Sequence, residues 1–135
     1  MTVEIRPVCS RAEREAFVRF PFRLYAADRD WVPPLLSQQR RFLDPAHNPF
    51  FEHAEVALWL AVRAGQVVGI VSSHIDHRHN EVHHRRDGMF GFFECVDDYS
   101  VAEALLTTAH DWAAARGMTH LRGPLSFSQN HTCGP

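Results

Sequence analysis

The chain has 135 residues, of which 45% are hydrophobic, and a formal net charge of −2 at pH 7. This length supports one domain with a hydrophobic core, so we expect a single domain over residues 1–135. A slightly acidic chain has no excess of Lys and Arg to neutralise phosphates, which argues against non-specific nucleic-acid binding. The longest apolar run, 56–62, is shorter than the roughly 20 residues of a membrane helix. The three cysteines form no C-x-x-C pair, so we expect a cytoplasmic protein without a disulfide framework.

The first predicted elements are a strand and a helix. Residues 2–8 alternate apolar and polar side chains, which is the pattern of a half-buried strand. Ser10 and Glu13 have the spacing of a capping box, in which both side chains accept hydrogen bonds from free backbone N–H groups, so a helix should begin here. Pro21 lacks an N–H group and is expected to interrupt this helix, which residues 22–27 then resume for a turn.

A second helical segment is predicted after an extended stretch. The prolines within 31–34 bias the residues before them away from the helix, and Pro34 can then start a helix that runs through Phe42. The following loop, 44–53, contains Phe50 and Phe51. Solvated loops seldom carry two such large apolar side chains, so we expect this loop to pack on the body of the domain.

Three strand patterns come next. Residues 55–62 are apolar on both alternating faces, which is typical of a central strand covered on both sides. Residues 64–66 predict a tight turn, after which 67–75 returns as an antiparallel partner. The polar segment 76–87 shows no periodicity, and we interpret it as an exposed hairpin loop that leads into a third strand, 89–96.

The last predicted unit is a helix followed by a short strand. Ser100 and Glu103 have the spacing of a capping box, so the helix should begin here, and Gly117 can end it in the left-handed conformation. Helical periodicity places five residues on the solvent face: Glu103, Thr107, His110, Asp111 and Ala114. A strand around Leu121 should then pair in parallel with 89–96. Any ligand site of this unit is expected beyond the carboxyl end of the strand 89–96, near residues 94–100.

These elements predict an α/β fold with a mixed, mostly antiparallel sheet flanked by helices. The polar stretch 126–135 has no helix or strand pattern that would close the sheet, so we expect the chain to be a fragment that stops before the last strands. The open sheet edge then predicts dimerisation or a partner domain.

Several short motifs of the chain occur together in one known family. They are Trp31-Val32-Pro33-Pro34, Asn48-Pro49-Phe50-Phe51-Glu52-His53-Ala54-Glu55, Arg78-His79-Asn80, Gly91-Phe92-Phe93-Glu94 and Arg122-Gly123-Pro124. These stretches resemble a family of poorly characterised bacterial proteins with the fold of the GCN5-related N-acetyltransferases (GNAT). The resemblance covers nearly the whole chain and implies a V-shaped opening between the fourth and fifth strands for acyl-coenzyme A. Because family members are longer, it also implies an N-terminal half that pairs with its own C-terminal half or with a second copy.

The resemblance implies acyl transfer from acetyl-coenzyme A or another acyl-coenzyme A to an amine of a small molecule. Active GNAT proteins carry an R/Q-x-x-G-x-G/A segment whose free N–H groups at a helix start bind the pyrophosphate. Here that segment reads Cys95-Val96-Asp97-Asp98-Tyr99-Ser100, without glycine and with two carboxylates that would repel a pyrophosphate. We therefore expect no standard coenzyme A site in this chain. If the cofactor does bind here, Cys95, Val96 and Ser100 are the residues placed to contact it.

Two side chains are candidates for the proton transfers of this chemistry. Glu94 follows Phe90 and Phe92 on one predicted strand face, where a partly desolvated carboxylate could act as general base for an amine. Tyr99, at the helix start, could protonate a leaving thiolate. Cys95 has no histidine at an interpretable spacing and is more simply a small buried hydrophobic residue than a nucleophile.

Five histidines within 74–84 suggest a different kind of site. Imidazole is a common ligand of transition metals, but no cysteine accompanies these histidines, and we predict a solvated polar loop without a metal. The preferred hypothesis is a degenerate, structural or acceptor-contacting half of an acyltransferase that is inactive alone. The alternatives are a non-enzymatic module that binds a small ligand between Glu94 and the polar tail 126–132, and a metal-binding regulator that uses the histidines.

Overall fold

The computed structural model describes residues 2–31, 33, 35–46 and 48–124. The strands in this part of the chain are β1 (Glu4–Pro7), β2 (Ala54–Arg63), β3 (Gln66–Asp76), β4 (Asp87–Cys95) and β5 (His120–Arg122). The helices are α1 (Arg11–Leu24), α2 (Leu36–Phe42), α3 (His77–His83) and α4 (Tyr99–Ala115), with a short 3-10 helix at Pro49–Glu52. The predicted helix start at Pro34 and the polar tail 126–132 lie outside the described residues.

The strands form one sheet in the order β1-β2-β3-β4-β5. The pairs from β1 to β4 are antiparallel, and β5 joins β4 in parallel. The predicted mixed, mostly antiparallel sheet is therefore confirmed, and so is the parallel pair joined through a helix. The middle strand, β3, is buried along nearly all of its length.

Helices cover both faces of the sheet and create two hydrophobic clusters. On one face, α1, α2 and the 3-10 helix contribute Phe17, Val18, Phe20, Leu43 and Phe50 to a cluster with Leu60 and Ile70 of the sheet. On the other face, α4 contributes Val101, Leu105 and Ala109 to a cluster with residues of β2 and β3. Because Phe50 is only 5% exposed, the predicted packing of the 44–53 loop on the domain is confirmed.

Helix α1 begins as predicted and ends later than predicted. The capping box is present, since Ser10 Oγ accepts from the Glu13 amide at 3.1 Å and Glu13 Oε1 accepts from the Ser10 amide at 3.0 Å. Pro21 does not interrupt the helix, which continues to Leu24. Proline removes one hydrogen bond at a cost of about 3 kcal/mol. Phe17 and Phe20, anchored in the core just before Pro21, offset this cost through the apolar surface that they bury.

The segment between β3 and β4 is also more regular than predicted. Instead of an irregular loop it contains α3, and the Asp76 side chain caps this helix by accepting from the His79 amide at 3.1 Å. The Asn80 side chain then exchanges two hydrogen bonds of 3.1 Å with the backbone of Asp87, which fixes the start of β4. A short polar helix has no apolar periodicity, which is why the sequence pattern did not indicate it.

Helix α4 presents the predicted solvent face, because Glu103, Thr107, His110, Asp111 and Ala114 are all exposed. Its opposite side lies very close to β3. A Cβ at Gly69 would stand 2.7 Å from Leu105 Cδ1 and 2.9 Å from Cys95 Cβ, so only glycine fits at this point. None of the helices in the described ranges is long and apolar enough to cross a membrane.

Candidate functional site

On the side away from β3, the carboxyl-terminal half of β4 has no partner strand among the described residues. In the described part of the chain, β5 pairs only with Asp87–Met89 at the start of β4. Residues 90–95 continue beyond this short pairing toward the start of α4. Gly123, just after β5, lies against Phe90, since a Cβ at Gly123 would stand 2.5 Å from the Phe90 carbonyl oxygen. Beyond Phe90, β4 has no partner strand on this side among the described residues, and this is the end of the unit where a ligand site is expected.

A β-bulge divides the phenylalanines of β4 between the two faces of the sheet. Phe92 has a φ of 50°, and the register with β3 shifts at this point. Phe90 and Phe93 contact each other on the α4 side, with ring centroids 6.4 Å apart. Phe92 instead packs on Phe17 and Phe42, at 6.0 and 5.8 Å, on the α1 side. The predicted common face of Phe90 and Phe92 is wrong, because the bulge inserts one extra residue into the alternation.

Glu94 lies on the α1 side of this edge and is held by Tyr25. The Tyr25 hydroxyl donates a hydrogen bond to Glu94 Oε2, and its ring stacks on Trp31 with centroids 5.1 Å apart. The hydrogen bond to Glu94, followed by burial, raises the pKa of Tyr25 to about 12. Tyr25 therefore stays protonated and remains a donor to the carboxylate at neutral pH.

Tyr25 was absent from the sequence-based candidates. It is 69 residues away from Glu94 in the chain, and nothing in its local sequence points to a carboxylate partner. Tyr99, the other predicted catalytic residue, occupies the first position of α4 and is 81% exposed. No hydrogen bond in the described part of the chain joins Tyr99 to Glu94, so its role as an acid stays a prediction.

The start of α4 is capped by Asp98, and the predicted cap at Ser100 is wrong. Asp98 Oδ1 accepts from the Ser100 amide at 3.0 Å and from its hydroxyl at 2.7 Å. Arg63, at the end of β2, donates to Asp98 Oδ2 at 2.5 Å. These bonds, of which those with Ser100 come first, lower the pKa of Asp98 to about 2. A carboxylate with its own cationic partner thus occupies the helix end where a pyrophosphate would be expected.

Of the three predicted cofactor contacts, Val96 and Ser100 already donate hydrogen bonds inside the protein. The Val96 amide donates to the Val68 carbonyl at 3.0 Å. The amide and hydroxyl of Ser100 both donate to the Asp98 carboxylate. Cys95 is partly buried, and burial together with nearby carboxylates raises the pKa of its thiol, which does not favour a nucleophilic thiolate. A contact between these residues and a cofactor stays a prediction.

The histidines near α3 are associated mainly with carboxylates. His77 Nε2 lies 3.1 Å from Glu55 Oε1, and His79 Nε2 lies 3.5 Å from Asp87 Oδ2. The rings of His79 and His83 are 4.7 Å apart. Within the described ranges, no group of three or more His, Cys, Asp and Glu side chains is arranged to hold a metal ion.

Replacing Asp98 by Asn is expected to destabilise the protein at neutral pH. The native pKa of about 2 lies below the ordinary value of 3.8. The stabilising effect of the charged carboxylate is therefore complete above about pH 4 and is lost as the pH falls toward 2. Urea unfolding at pH 7, 5 and 3 should show a difference between wild type and D98N that shrinks at the lowest pH. Asp97→Asn, at the exposed neighbouring position, is the matched control, and equal effects of the two substitutions would contradict the capping role.

Sequence comparison finds relatives that are much longer than this chain. Over 133 residues the chain is 41% identical to a bacterial ceramide synthase of Caulobacter vibrioides. Over 130 residues it is 34% identical to protein YghO of Escherichia coli. These alignments cover 98% and 96% of this chain but only 35% and 33% of the relatives, so the chain spans about a third of their length. No protein-family model matches it.

Solved structures with the same arrangement are acetyltransferases and related proteins. A tandem GNAT protein from the clavulanic acid biosynthesis pathway superposes with a TM-score of 0.66 and 15% identity, over 89% of this chain and 35% of that protein. A predicted acetyltransferase from Clostridium acetobutylicum, solved with acetyl-coenzyme A, gives a TM-score of 0.63 and 14% identity, over 90% of this chain and 79% of that protein. An aminoglycoside acetyltransferase from a soil metagenome, in complex with sisomicin, gives 0.58 and 10%, over 89% and 75%. The chain therefore has the fold of the GCN5-related N-acetyltransferases.

Proposed function

We propose that this chain is part of an acyltransferase that moves an acyl group from an acyl-coenzyme A to the amine of a small molecule. In this proposal the chain contributes the wall that contacts the acceptor. The observation that carries it is the Glu94 carboxylate, positioned by Tyr25 at the unpaired edge of β4. The acetyltransferase fold supports the reaction class, and Tyr25, whose ring stacks on Trp31, holds the carboxylate in place.

The proposed chemistry is a direct transfer. The amine nitrogen attacks the thioester carbonyl carbon, the C–N bond forms, and the C–S bond breaks. Glu94 takes the proton that the nitrogen must lose, and the departing thiolate takes up a proton from a nearby acid, for which Tyr99 is the candidate in this chain. Such a reaction depends on the positioning of the reactants and on proton removal, and it needs no covalent enzyme intermediate.

We place the binding of the pyrophosphate outside this chain. Asp98 fills the start of α4, and its ion pair with Arg63 leaves no uncompensated positive charge at that helix end. The matched relatives are about three times as long as this chain, so their additional sequence can hold an acyl-coenzyme A site outside the matched part. We therefore propose that this chain contacts the acceptor and that a part of the protein outside this chain binds the cofactor.

A long-chain amino alcohol is the proposed acceptor. One relative is named a bacterial ceramide synthase, and a ceramide is the fatty amide of a long-chain amino alcohol. Forming such an amide is the reaction class described above. Tyr25, which contacts Glu94, stacks on Trp31, and Trp31 in turn contacts Phe22; these three rings offer apolar contact area for the alkyl part of that acceptor.

Isothermal titration of acetyl-coenzyme A and palmitoyl-coenzyme A tests whether the cofactor binds outside this chain. We expect no micromolar binding to this chain alone. We expect clear binding to the product of the complete natural reading frame, with release of free thiol when a long-chain amino alcohol is added. Micromolar binding by the short chain would refute the placement of the pyrophosphate site. Binding without turnover of any acyl donor by that product would favour the alternative function, a non-enzymatic ligand-binding module, which the occupied start of α4 also suits.

A further inference from the structure

The segment that contains α1, the loop after it and α2 is strongly basic, although the chain as a whole is slightly acidic. Residues 11–42 include seven arginines and four acidic residues, whereas the net charge of the whole chain is −2. The basic side chains of this segment are all arginines, whose planar guanidinium groups can each bind a phosphate group with two hydrogen bonds. This segment therefore concentrates groups that bind phosphate.

Contacts between α1 and α2 bring arginines of both helices to one surface. Arg19 Nε and Arg40 Nη2 lie 2.5 and 2.6 Å from the same carboxylate oxygen, Glu15 Oε2. One carboxylate compensates only one of these two charges. Arg11 lies four residues before Glu15, on the same side of α1, and Arg41 follows Arg40 at the end of α2. Both are exposed and belong to no ion pair within the described ranges. We refer to Arg11, Arg19, Arg40 and Arg41 as the arginine surface.

Apolar side chains border the arginine surface. Phe22 lies three residues after Arg19 and seven after Glu15, which places it on the same side of α1. Its ring contacts the partly exposed Trp31, with centroids 5.5 Å apart. Leu35, directly before α2, is 62% exposed. Arginines beside accessible Trp and Leu side chains are typical of protein surfaces that lie in the headgroup region of a membrane.

This apolar border also contacts the proposed acceptor site. Trp31 stacks on Tyr25, and Tyr25 donates a hydrogen bond to Glu94. Only two contacts therefore separate the surface from the carboxylate. A long-chain amino alcohol dissolves in a lipid bilayer because of its alkyl chain, so an enzyme that acylates it needs its acceptor site close to a bilayer.

We propose that the arginine surface, together with Trp31 and Leu35, docks on a membrane that contains anionic phospholipids. The arginines complement the negative charge of such a membrane and bind its phosphate groups, while the indole ring and the leucine enter the headgroup region. The inference extends the proposed function, on which it rests for the long-chain acceptor. The docking itself is measured without any acyl transfer.

Flotation with lipid vesicles tests the docking, using the product of the complete natural reading frame. Vesicles of phosphatidylcholine alone are compared with vesicles that also contain phosphatidylglycerol. We expect binding to the anionic vesicles at about 0.1 M NaCl and clearly weaker binding at about 1 M, because salt shortens the range of charge interactions from about 10 to about 3 Å.

Charge substitutions locate the docking surface. Arg11→Gln combined with Arg41→Gln should lower the partition coefficient for anionic vesicles about 10- to 30-fold, since each arginine close to such a membrane contributes about 5-fold. The matched control combines Arg78→Gln with Arg86→Gln, which changes the net charge equally at exposed positions outside residues 11–42. It should lower the partition coefficient much less.

An apolar substitution tests the other part of the surface. Leu35→Gln is expected to lower the partition coefficient about 3- to 10-fold, because less apolar area then enters the headgroup region. Val82→Gln is its control, at a residue of α3 that is 66% exposed. Because all these side chains are exposed, every variant should keep the Tm of the wild type.

The outcomes separate the docking from the proposed function. Absence of binding to anionic vesicles, equal binding to neutral and anionic vesicles, or equal losses in the arginine variant and its control would overturn the docking. Acyl transfer to an amino alcohol in detergent micelles needs no membrane, so the Arg11 and Arg41 variant should retain wild-type turnover there. If the wild-type protein acylates no acceptor in micelles but binds anionic vesicles as expected, the proposed function fails and the docking stands.

Discussion

Replacing Glu94 by Gln is expected to lower kcat/KM for acyl transfer by about 10²- to 10⁴-fold, which is the usual contribution of a general base. Glutamine keeps the size of the side chain and an oxygen that can accept from Tyr25, but it cannot take up the proton of the amine. The fold should therefore stay intact. The measurement is acyl-coenzyme A-dependent thiol release by the product of the complete natural reading frame, with circular dichroism and Tm as checks of folding.

Two tyrosine substitutions refine this test. Tyr25→Phe keeps the ring that stacks on Trp31 and removes only the hydroxyl that holds Glu94. We expect it to lower kcat less than Glu94→Gln, because Tyr25 positions the carboxylate without taking part in the proton transfer. Tyr99→Phe examines the predicted acid separately. If Glu94→Gln retains wild-type turnover, Glu94 is not the base and the proposed chemistry at the β4 edge is wrong.

Replacing Leu105 by Ala is expected to reduce the free energy of unfolding by about 2–5 kcal/mol. Leu105 is fully buried in the cluster on the α4 side, and its Cδ1 lies against Gly69 of β3. The tight approach of α4 to the sheet leaves little room for neighbouring side chains to fill the cavity. The measurement is urea unfolding at neutral pH, analysed as a two-state transition.

Leu106→Ala is the matched control for this substitution. Leu106 is the next residue of α4 and is only partly buried, so the same truncation should cost clearly less. Because α4 begins with Tyr99 and is capped by Asp98, Leu105→Ala should also loosen the site at the end of β4. Equal losses of stability for the two leucines would show that α4 is not anchored through Leu105.

Much of the fold followed from local patterns that are strong in this chain. The Ser10 and Glu13 capping box, the solvent face of α4 and the left-handed Gly117 depend on contacts within a few residues. The strands of the sheet were predicted to within a few residues of their bounds, because their apolar runs are long and are separated by clear turns. The resemblance to GNAT proteins then indicated the correct fold.

Local sequence patterns were insufficient wherever contacts with a distant residue decide which structure a segment adopts. Pro21 stays inside α1 because the phenylalanines before it are anchored in the core. The cap of α4 moves to Asp98 because that carboxylate gains an ion pair with Arg63, a residue on another strand. The short helix α3 is fixed through the hydrogen bonds of Asn80 to the start of β4. Each of these choices depends on partners that the sequence pattern alone does not bring together.

The sequence by itself determined the order of the strands along the chain, the fold class and Glu94 as a candidate base, because these depend on apolar periodicity, turns and residue type. Only the tertiary structure decided how the site is built. The bulge at Phe92 sets which side chains of β4 share a face with Glu94. Tyr25 reaches Glu94 from the end of α1, across 69 residues of chain. Such contacts arise from packing between elements, and no spacing within either element encodes them.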